Sequence, residues 1–316
     1  MTNIKHIAPI ALSEHIVLFA AEQIDSLADN TRLSYMTALA RLARHGVVAS
    51  ADLVDDTLSR AIRSMHKDGY SAGTVYVTIA AARWVARVLD RADPFGPLSR
   101  ASRRIAARQA PPQKRAVPLV WEEADLAVQI AAADGTRAGS RDAALIAVMS
   151  DGLLRGSETA ALLWSDLEMD LDGSATVLVR RSKTDQEGHG SRQYLGASTV
   201  ALIVLWARAC GFDEPPDGEV PIFCRVRRGD HIELCTALSA AAVSRIVSRR
   251  AAAAGVLGAT SRSLRVGSAM SLARAGASLV DLQQVGRWKS PQMPAVYIRG
   301  ELARRGAVAR YRYGAG

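Results

Sequence analysis

The chain has 316 residues, 49% of them apolar, which is enough for real hydrophobic cores and exceeds the roughly 100 to 200 residues of a typical domain, so two domains are expected. Its 40 Lys and Arg outnumber its 31 Asp and Glu, and this net charge of +9 suits a polyanionic partner better than an acidic or neutral balance would, although an arginine-rich composition can arise without any binding role. Three widely spaced cysteines (Cys210, Cys224, Cys235) support neither a disulfide framework nor a zinc site, and no run of about 18 apolar residues indicates a membrane span.

The first hundred residues have apolar positions three and four apart, with breaks at turn-forming residues, which predicts consecutive helices. Helices are predicted over 31–45 after a cap at Asn30, over 51–67 after a cap at Ser50, and over 74–89. No segment here alternates as a strand would. We therefore expect an all-helical bundle of four or five helices over 1–110.

The stretch 109–118 contains three prolines and two basic residues without a helical period, which indicates an extended tether. We predict a linker at 111–118 between a first domain over 1–110 and a second over 119–316. The basic residues just before the linker would suit a segment that lies along a DNA duplex and contacts its phosphates. A solvated linker explains these charges equally well.

The second domain changes its pattern midway. A β-rich run over 175–180 and a return strand over 192–195 flank the polar turn 185–190, which predicts a small antiparallel sheet. Helices are predicted around it, over 122–133, 141–150, 156–164, 198–209, 237–254, 264–275, 279–285, 294–298 and 301–311. The fold is thus expected to be mainly α, an all-helical bundle followed by a mixed α+β domain with a small antiparallel sheet.

A protein that breaks a DNA strand without a metal needs a side-chain nucleophile, cations on the phosphate oxygens and an acid for the leaving oxygen. Arginine suits the phosphate clamp, because its planar fork pairs two oxygens and stays charged, whereas lysine can give up a proton. The second domain supplies each of these residue types.

The segment 151–158, Asp-Gly-Leu-Leu-Arg-Gly-Ser-Glu, resembles the first signature of the tyrosine recombinase (phage integrase) family. In that signature an arginine, here Arg155, is supported by an acidic residue three positions on, here Glu158. Lys183, at the end of the β run, lies where the family has its hairpin lysine.

The later motifs follow in the same order. Ser261-Arg-Ser-Leu-Arg265 occupies the place of the family's His-x-x-Arg box, and Trp288 occupies its His/Trp position. Tyr297 follows Trp288 by nine residues. Each residue alone has an ordinary explanation, such as a helix salt bridge, an exposed hairpin charge or a packed aromatic ring, and the resemblance depends on their joint order.

The resemblance implies that Tyr297 attacks the scissile phosphate and forms a 3′-phosphotyrosyl bond, with Lys183 protonating the 5′ oxygen that leaves. It implies that Arg155, Arg265 and Trp288 bind the phosphate, and that no metal, ATP or other cofactor is needed, because one phosphodiester is exchanged for another. It further implies a core-binding, DNA-binding role for the first domain and a catalytic role for the second.

One residue departs from the family pattern. Arg262 stands where the family usually has histidine, and arginine cannot accept a proton at ordinary pH, so Arg262 cannot act as the general base for Tyr297. Its charge can still stabilise a phenolate and a crowded transition state. Activity is therefore expected, although slower.

DNA contacts are also expected outside the chemistry. The cationic cluster of Arg225, Arg227 and Arg228 should neutralise phosphates. Arg245 and Arg249 lie four residues apart on the helix predicted over 237–254, where they would face DNA. Thr74 and Arg83 lie on a first-domain helix that could face a groove, although a solvated polar face explains these two residues equally well.

The resemblance implies a double-stranded DNA partner with a palindromic type of site, on which four protomers act on two sites. A helix over 301–313 is expected either to dock on a neighbouring protomer or to cap its own domain. The cysteine content and the lack of a signal peptide favour a reducing cytoplasm, on the nucleoid, without a membrane partner.

Two rival functions stay open at this point. A telomere resolvase or a type IB topoisomerase shares the Arg, Lys and Tyr chemistry but rejoins DNA differently, and pairing of two DNA sites separates them from a recombinase. A catalytically silent DNA-binding relative would keep the fold without strand cleavage, and Arg262 is its only support.

Overall fold

The computed structural model describes residues 23, 27–109, 116–181, 190–214, 216, 218–300, 311, 312 and 314. The chain divides into two compact units, Met1–Lys114 and Arg115–Gly316. Within the described residues, none of the helices is both long and apolar enough to cross a membrane.

The described part of the first unit is helical. It contains helices α1 (Asp29–Arg44), α2 (Asp55–Lys67), α3 (Ala72–Val88) and α4 (Pro97–Gln109), with a 3₁₀ turn at Ser50–Asp52. Their apolar stripes meet in one core, in which Leu58, Met65 and Val75 are among the residues with almost no exposure. The predicted helical bundle is confirmed for these residues.

The predicted start of the second helix was wrong. Asp52 accepts hydrogen bonds from the backbone N–H groups of Val48 and Ala49, which closes a separate turn, and α2 begins only at Asp55. The Asp55 carboxylate in turn accepts the N–H groups of Gly96, Leu98 and Ser99 and so caps α4. This cap joins residues far apart in sequence.

The second unit mixes helices and strands, as the sequence predicts. Its helices are α5 (Trp121–Ala132), α6 (Arg137–Asp151), α7 (Gly156–Ala160), α8 (Ala197–Cys210), α9 (Ala240–Ala253), α10 (Ser261–Arg274), α11 (Leu279–Val285) and α12 (Gln292–Tyr297), with a 3₁₀ turn at Trp164–Asp166. Its strands are β1 (Leu167–Met169), β2 (Ala175–Val179), β3 (Ser191–Leu195), β4 (Cys224–Arg227) and β5 (His231–Ala237).

Strands β1, β2 and β3 form an antiparallel sheet in that order, with Val177 paired to both Leu167 and Gln193. The buried side chains of β2 alternate with partly exposed ones, which is why the sequence shows a period of two there. The predicted small antiparallel sheet is confirmed. Lys183 and all of the predicted polar turn except Gly190 fall within 182–189, outside the described residues.

A second antiparallel pair, β4 and β5, was not predicted, and the helix expected over 237–254 begins later, at Ala240. The turn between the two strands contains Asp230, whose carboxylate accepts the N–H groups of Arg137 and Ala138 at the start of α6. The hairpin is thereby fixed to the helix that leads into the first signature.

Helix α10 passes close to the backbone of the segment before α5. A side chain at Gly267 would place its Cβ 1.8 Å from the carbonyl oxygen of Leu119, so only glycine fits. The Leu119 N–H donates to the Ser263 carbonyl, which fixes this approach. The first half of the helix is thus held against this segment, and it presents two of the predicted site residues, Arg262 and Arg265.

Candidate active site

Tyr297 ends α12 and is half-buried, and its hydroxyl oxygen accepts a hydrogen bond from Arg262 Nη2 at 2.7 Å. The Arg262 guanidinium also lies 5.7 Å from the centre of the Tyr297 ring. A guanidinium donates and cannot accept, so Arg262 cannot take the proton of the phenol. The predicted nucleophile therefore meets a cation in place of a base.

Arg155 and Glu158 occupy the turn that opens α7. The Glu158 carboxylate accepts the backbone N–H of Arg155 at 2.9 Å and forms an ion pair with Arg155 Nη1. The glutamate side chain is 2% exposed and that of Arg155 is 23% exposed, so the carboxylate is buried while the guanidinium reaches solvent. Glu158 thus bonds both the backbone and the side chain of Arg155, while its role in catalysis stays a prediction.

Arg265 is buried in α10 and joins two loops. Its Nη1 donates to the Leu153 carbonyl at 2.5 Å, its Nη2 donates to the Gly286 carbonyl, and its guanidinium lies 4.5 Å from the centre of the Trp288 ring. These two bonds use two of the five guanidinium N–H groups. The side chain is therefore oriented before any phosphate arrives.

Trp288 is 8% exposed and lies between Arg265 and the tyrosine, with its ring centre 5.9 Å from that of Tyr297. The indole ring covers Gly286, where an added Cβ would stand 1.9 Å from a ring carbon. Glycine is therefore required there for steric reasons. Both aromatic rings pack in a small apolar cluster with Leu153 and Ile298.

Arg287 is a site residue that the sequence reasoning missed. Its Nη2 donates to Glu158 at 2.7 Å, and its Nη1 donates to the Gly152 carbonyl at 3.1 Å. The motif Gly-Arg-Trp gave the only signal, a basic residue directly before the tryptophan. Because its partner Glu158 lies 129 residues away in sequence, no local pattern identifies the contact.

The charged side chains of the site shift one another's pKa. Burial alone would raise the pKa of Glu158, but Arg287 and Arg155 outweigh it and hold that pKa below its ordinary value. Burial, followed by repulsion from Arg155 and Arg287, lowers the pKa of Arg265 to about 9. At neutral pH the carboxylate is ionised and Arg265 is protonated, so one buried anion is surrounded by several cations.

Six of the seven predicted catalytic residues converge in the second unit: Arg155, Glu158, Arg262, Arg265, Trp288 and Tyr297. The seventh, Lys183, lies outside the described residues, so its role stays a prediction. The assembled groups place several cations near one phenol, an arrangement that can stabilise charge on a phosphate held beside it.

The cationic cluster predicted for DNA contact lies on the β4–β5 hairpin. Arg225, Arg227 and Arg228 are all exposed there. Glu233 on the facing strand pairs with Arg227 and approaches Arg225 at 3.9 Å, which neutralises part of the charge. A binding role for this hairpin stays a prediction.

The other predicted DNA contacts lie on two helices. Arg245 and Arg249 are exposed on α9, and Arg249 also donates to the fully buried Asp142 at 2.7 Å, which gives it a structural partner. On α3, Arg83 pairs with Asp93 at 3.0 Å, and the Thr74 hydroxyl contacts that of Ser71. These contacts suit a structural role as well as a binding one.

A model of the phage integrase family matches residues 121–303, more than half of the chain. The recombinase Cre of Escherichia phage P1 is 27% identical over 157 residues, which cover 44% of this chain and 43% of Cre. The matched region therefore spans less than half of that curated relative.

Solved structures with a similar fold span most of the chain. A lambda integrase fragment, crystallised as a dimer bound to a COC′ core site, has a TM-score of 0.63 and 20% identity, covering 90% of this chain and 94% of that chain. The XerH site-specific recombinase in a post-cleavage complex with palindromic difH substrate has a TM-score of 0.63 and 16% identity, covering 89% of this chain and 80% of that chain. At 16% and 20% sequence identity, these two matches show a similar fold and nothing more.

Proposed function

Because the chain belongs to the phage integrase family, we propose that it is a site-specific recombinase that cleaves and rejoins DNA through a covalent bond between Tyr297 and a 3′ phosphate. The observation that carries the proposal is the contact of the Tyr297 hydroxyl with Arg262, in a site that also holds Arg265 and Trp288. A phenol in a packed structural position would not need a cation on its oxygen.

The reaction proceeds by exchange of phosphodiesters. Tyr297 attacks the scissile phosphorus as its proton departs, the DNA leaves as a free 5′ hydroxyl protonated by Lys183, and the phosphotyrosyl bond keeps the bond energy. A 5′ hydroxyl from a partner duplex then attacks the phosphotyrosine and releases the enzyme. Bonds broken and formed are of one type, so the exchange needs no energy source.

The phosphate is held by the fixed cations. Arg155 and Arg265 neutralise the non-bridging oxygens, with Trp288 at the position for an indole N–H donor. Arg262 stabilises the phenolate and the extra charge of the five-coordinate phosphorus. Water, or a group outside the described residues, takes the proton of Tyr297, because arginine cannot.

Arg262→His is expected to keep or raise the rate of strand cleavage, because an imidazole at this place can accept the phenol proton as well as donate to a phosphate. Arg262→Ala loses both the charge and the hydrogen bond and is expected to cleave about 10- to 100-fold more slowly, as for the loss of a charged hydrogen bond. Single-turnover cleavage of a nicked duplex measures both. Complete loss with histidine would show that Arg262 makes a contact that histidine cannot replace.

We also propose that the DNA partner is a duplex with inverted-repeat arms, gripped by the exposed arginines of the β4–β5 hairpin and of α9, and that four protomers join two such sites as in Cre-like recombination. Cations on exposed strands and helices neutralise phosphates and make binding salt-dependent. The tail over 301–313, which contains the described Tyr311, is proposed to dock on a neighbouring protomer.

Covalent trapping tests the proposal. Random duplexes are selected for binding to the purified protein, and the recovered inverted repeat is nicked so that cleavage releases a short fragment and prevents rejoining. A wild-type adduct that survives denaturation is the expected result. Binding without any adduct would favour the silent relative, and relaxation of one duplex without pairing of two would favour a type IB topoisomerase.

A further inference from the structure

Two turns of the site have backbones that non-glycine residues rarely adopt. Leu153 has φ +47° and Arg287 has φ +53°, both in the left-handed region. Such a conformation persists only where surrounding contacts hold it. The two residues lie in different loops, one before Arg155 and the other before Trp288, so the contacts between these loops decide the geometry of both.

Arg287 supplies many of the contacts that join these loops. Its Nη1 donates to the carbonyls of Gly152 and Val285, and its Nη2 donates to Glu158 and lies 3.4 Å from the Leu153 carbonyl. The side chain is 9% exposed, so these bonds form away from water. The left-handed backbone of Arg287 turns its side chain toward the first signature.

The Glu158 carboxylate is shared between two arginines. One oxygen pairs with Arg155, and the other accepts from the Arg155 backbone N–H and from Arg287 Nη2. Arg287 adds a charged donor to the oxygen that already accepts the Arg155 backbone N–H, and this second side-chain partner holds the plane of the carboxylate more firmly. The direction of the partly exposed Arg155 guanidinium follows from that plane.

The Leu153 carbonyl is shared in the same way. It accepts from Arg265 at 2.5 Å and from Arg287 at 3.4 Å, while Arg265 also donates to the Gly286 carbonyl directly before Arg287. The two arginines of the phosphate clamp thus contact groups that Arg287 holds. Arg287 itself is neutralised by Glu158 and buried, which suits support rather than contact with DNA.

We infer that Arg287 is a positioning residue for strand cleavage, which aims Arg155 through Glu158 and joins the turn of Leu153 to the turn of Trp288. The inference rests on the proposed function, because it concerns the rate of the same cleavage step. It concerns this chain in particular, since it depends on an arginine between Gly286 and Trp288. A merely structural Arg287 would affect folding and leave the rate of folded protein unchanged.

The first test is Arg287→Gly, because glycine accepts the left-handed backbone and only the side-chain contacts are lost. We expect single-turnover cleavage at saturating duplex to fall about 10- to 100-fold, while the dissociation constant for the same duplex changes less than about threefold. Arg287→Lys keeps a charge for Glu158 without the fork and is expected to recover part of the rate.

The second test is a double-mutant cycle with Glu158→Gln. If Arg287 acts through Glu158, the double variant cleaves no more than about twofold more slowly than Glu158→Gln alone, because the two losses share one mechanism. Independent losses that multiply would overturn this route of action. Thermal melting accompanies each measurement, so that rates refer to folded protein.

Arg141→Gln is the matched control. Arg141 is likewise a buried arginine of the second unit, paired with Asp142 at 2.7 Å, at the opposite end of α6 from the site. It is expected to lower the melting temperature without changing cleavage by the folded protein. If Arg287→Gly behaves in the same way, the inference fails while the wild-type adduct still supports the proposed function; absence of the wild-type adduct would instead refute that function.

Discussion

Tyr297→Phe is expected to abolish covalent trapping on the nicked duplex while leaving DNA affinity within about threefold of wild type. The variant removes one oxygen, the only atom of that side chain that can bond to phosphorus, and keeps the ring that packs against Trp288. No adduct above background is expected on a denaturing gel. A nucleophile cannot be partly replaced, so this effect should be the largest of any substitution in the chain.

Two tyrosine controls give this result its meaning. Tyr194→Phe removes an equally simple hydroxyl from an exposed ring, 63% accessible, on β3, and is expected to cleave as wild type does. Tyr311→Phe and Tyr313→Phe test the two tyrosines of the terminal tail as alternative nucleophiles. An adduct that persists in Tyr297→Phe and disappears in a tail variant would move the nucleophile to the tail.

Arg265→Lys is expected to slow cleavage about 100- to 1000-fold, the range seen when one preorganised donor to a developing charge is removed. Lysine keeps the charge but not the planar fork, so it cannot bond the Leu153 and Gly286 carbonyls and a phosphate at once. Affinity for the duplex should change little, because the proposed grip on the DNA uses exposed arginines of the β4–β5 hairpin and of α9. Single-turnover rates and binding isotherms separate the two effects.

A second variant covers the case in which burial of Arg265 makes its replacement unfold the second unit. Arg155→Lys changes a side chain that is 23% exposed, and the expected loss is again about 100-fold or more. Arg208→Ala, an exposed arginine in the last turn of α8, controls for loss of a positive charge and should leave the rate unchanged. Wild-type rates in both clamp variants would refute phosphate binding by these arginines.

Helices with local signals were predictable from the sequence. Helix α11 runs over Leu279–Val285 as expected, because Ser278 caps it and glycine follows it. The pairing of β2 with β3 was also predictable, since β2 alternates buried and partly exposed residues, whereas the short strand β1 was not predicted. In both cases the residues that determine the element lie within it or directly beside it.

Elements fixed by distant partners were not predictable in the same way. Asp55, the first residue of α2, bonds the N–H groups of Gly96, Leu98 and Ser99 at the start of α4. The β4–β5 hairpin alternates arginines with Cys224 and Val226, a pattern interpreted as a cationic cluster instead of a strand. The period of two was present there and could have been used.

The site shows the same division. The resemblance carried by the motifs of Arg155, Arg265 and Tyr297 implied that these three residues share one site. Arg287 was not predictable, because its importance comes from a carboxylate on another loop. Its left-handed backbone, which the sequence does not reveal, is the structural sign of its role.

The central claim is that the oxygen of Tyr297 becomes bonded to DNA. Mass spectrometry of the trapped adduct, after digestion with trypsin and nuclease, measures this directly. The predicted result is one modified peptide, with a nucleotide 3′ phosphate attached at Tyr297 and a free 5′ hydroxyl on the released strand. A nucleotide attached to any other residue, or through a 5′ phosphate, would contradict the account.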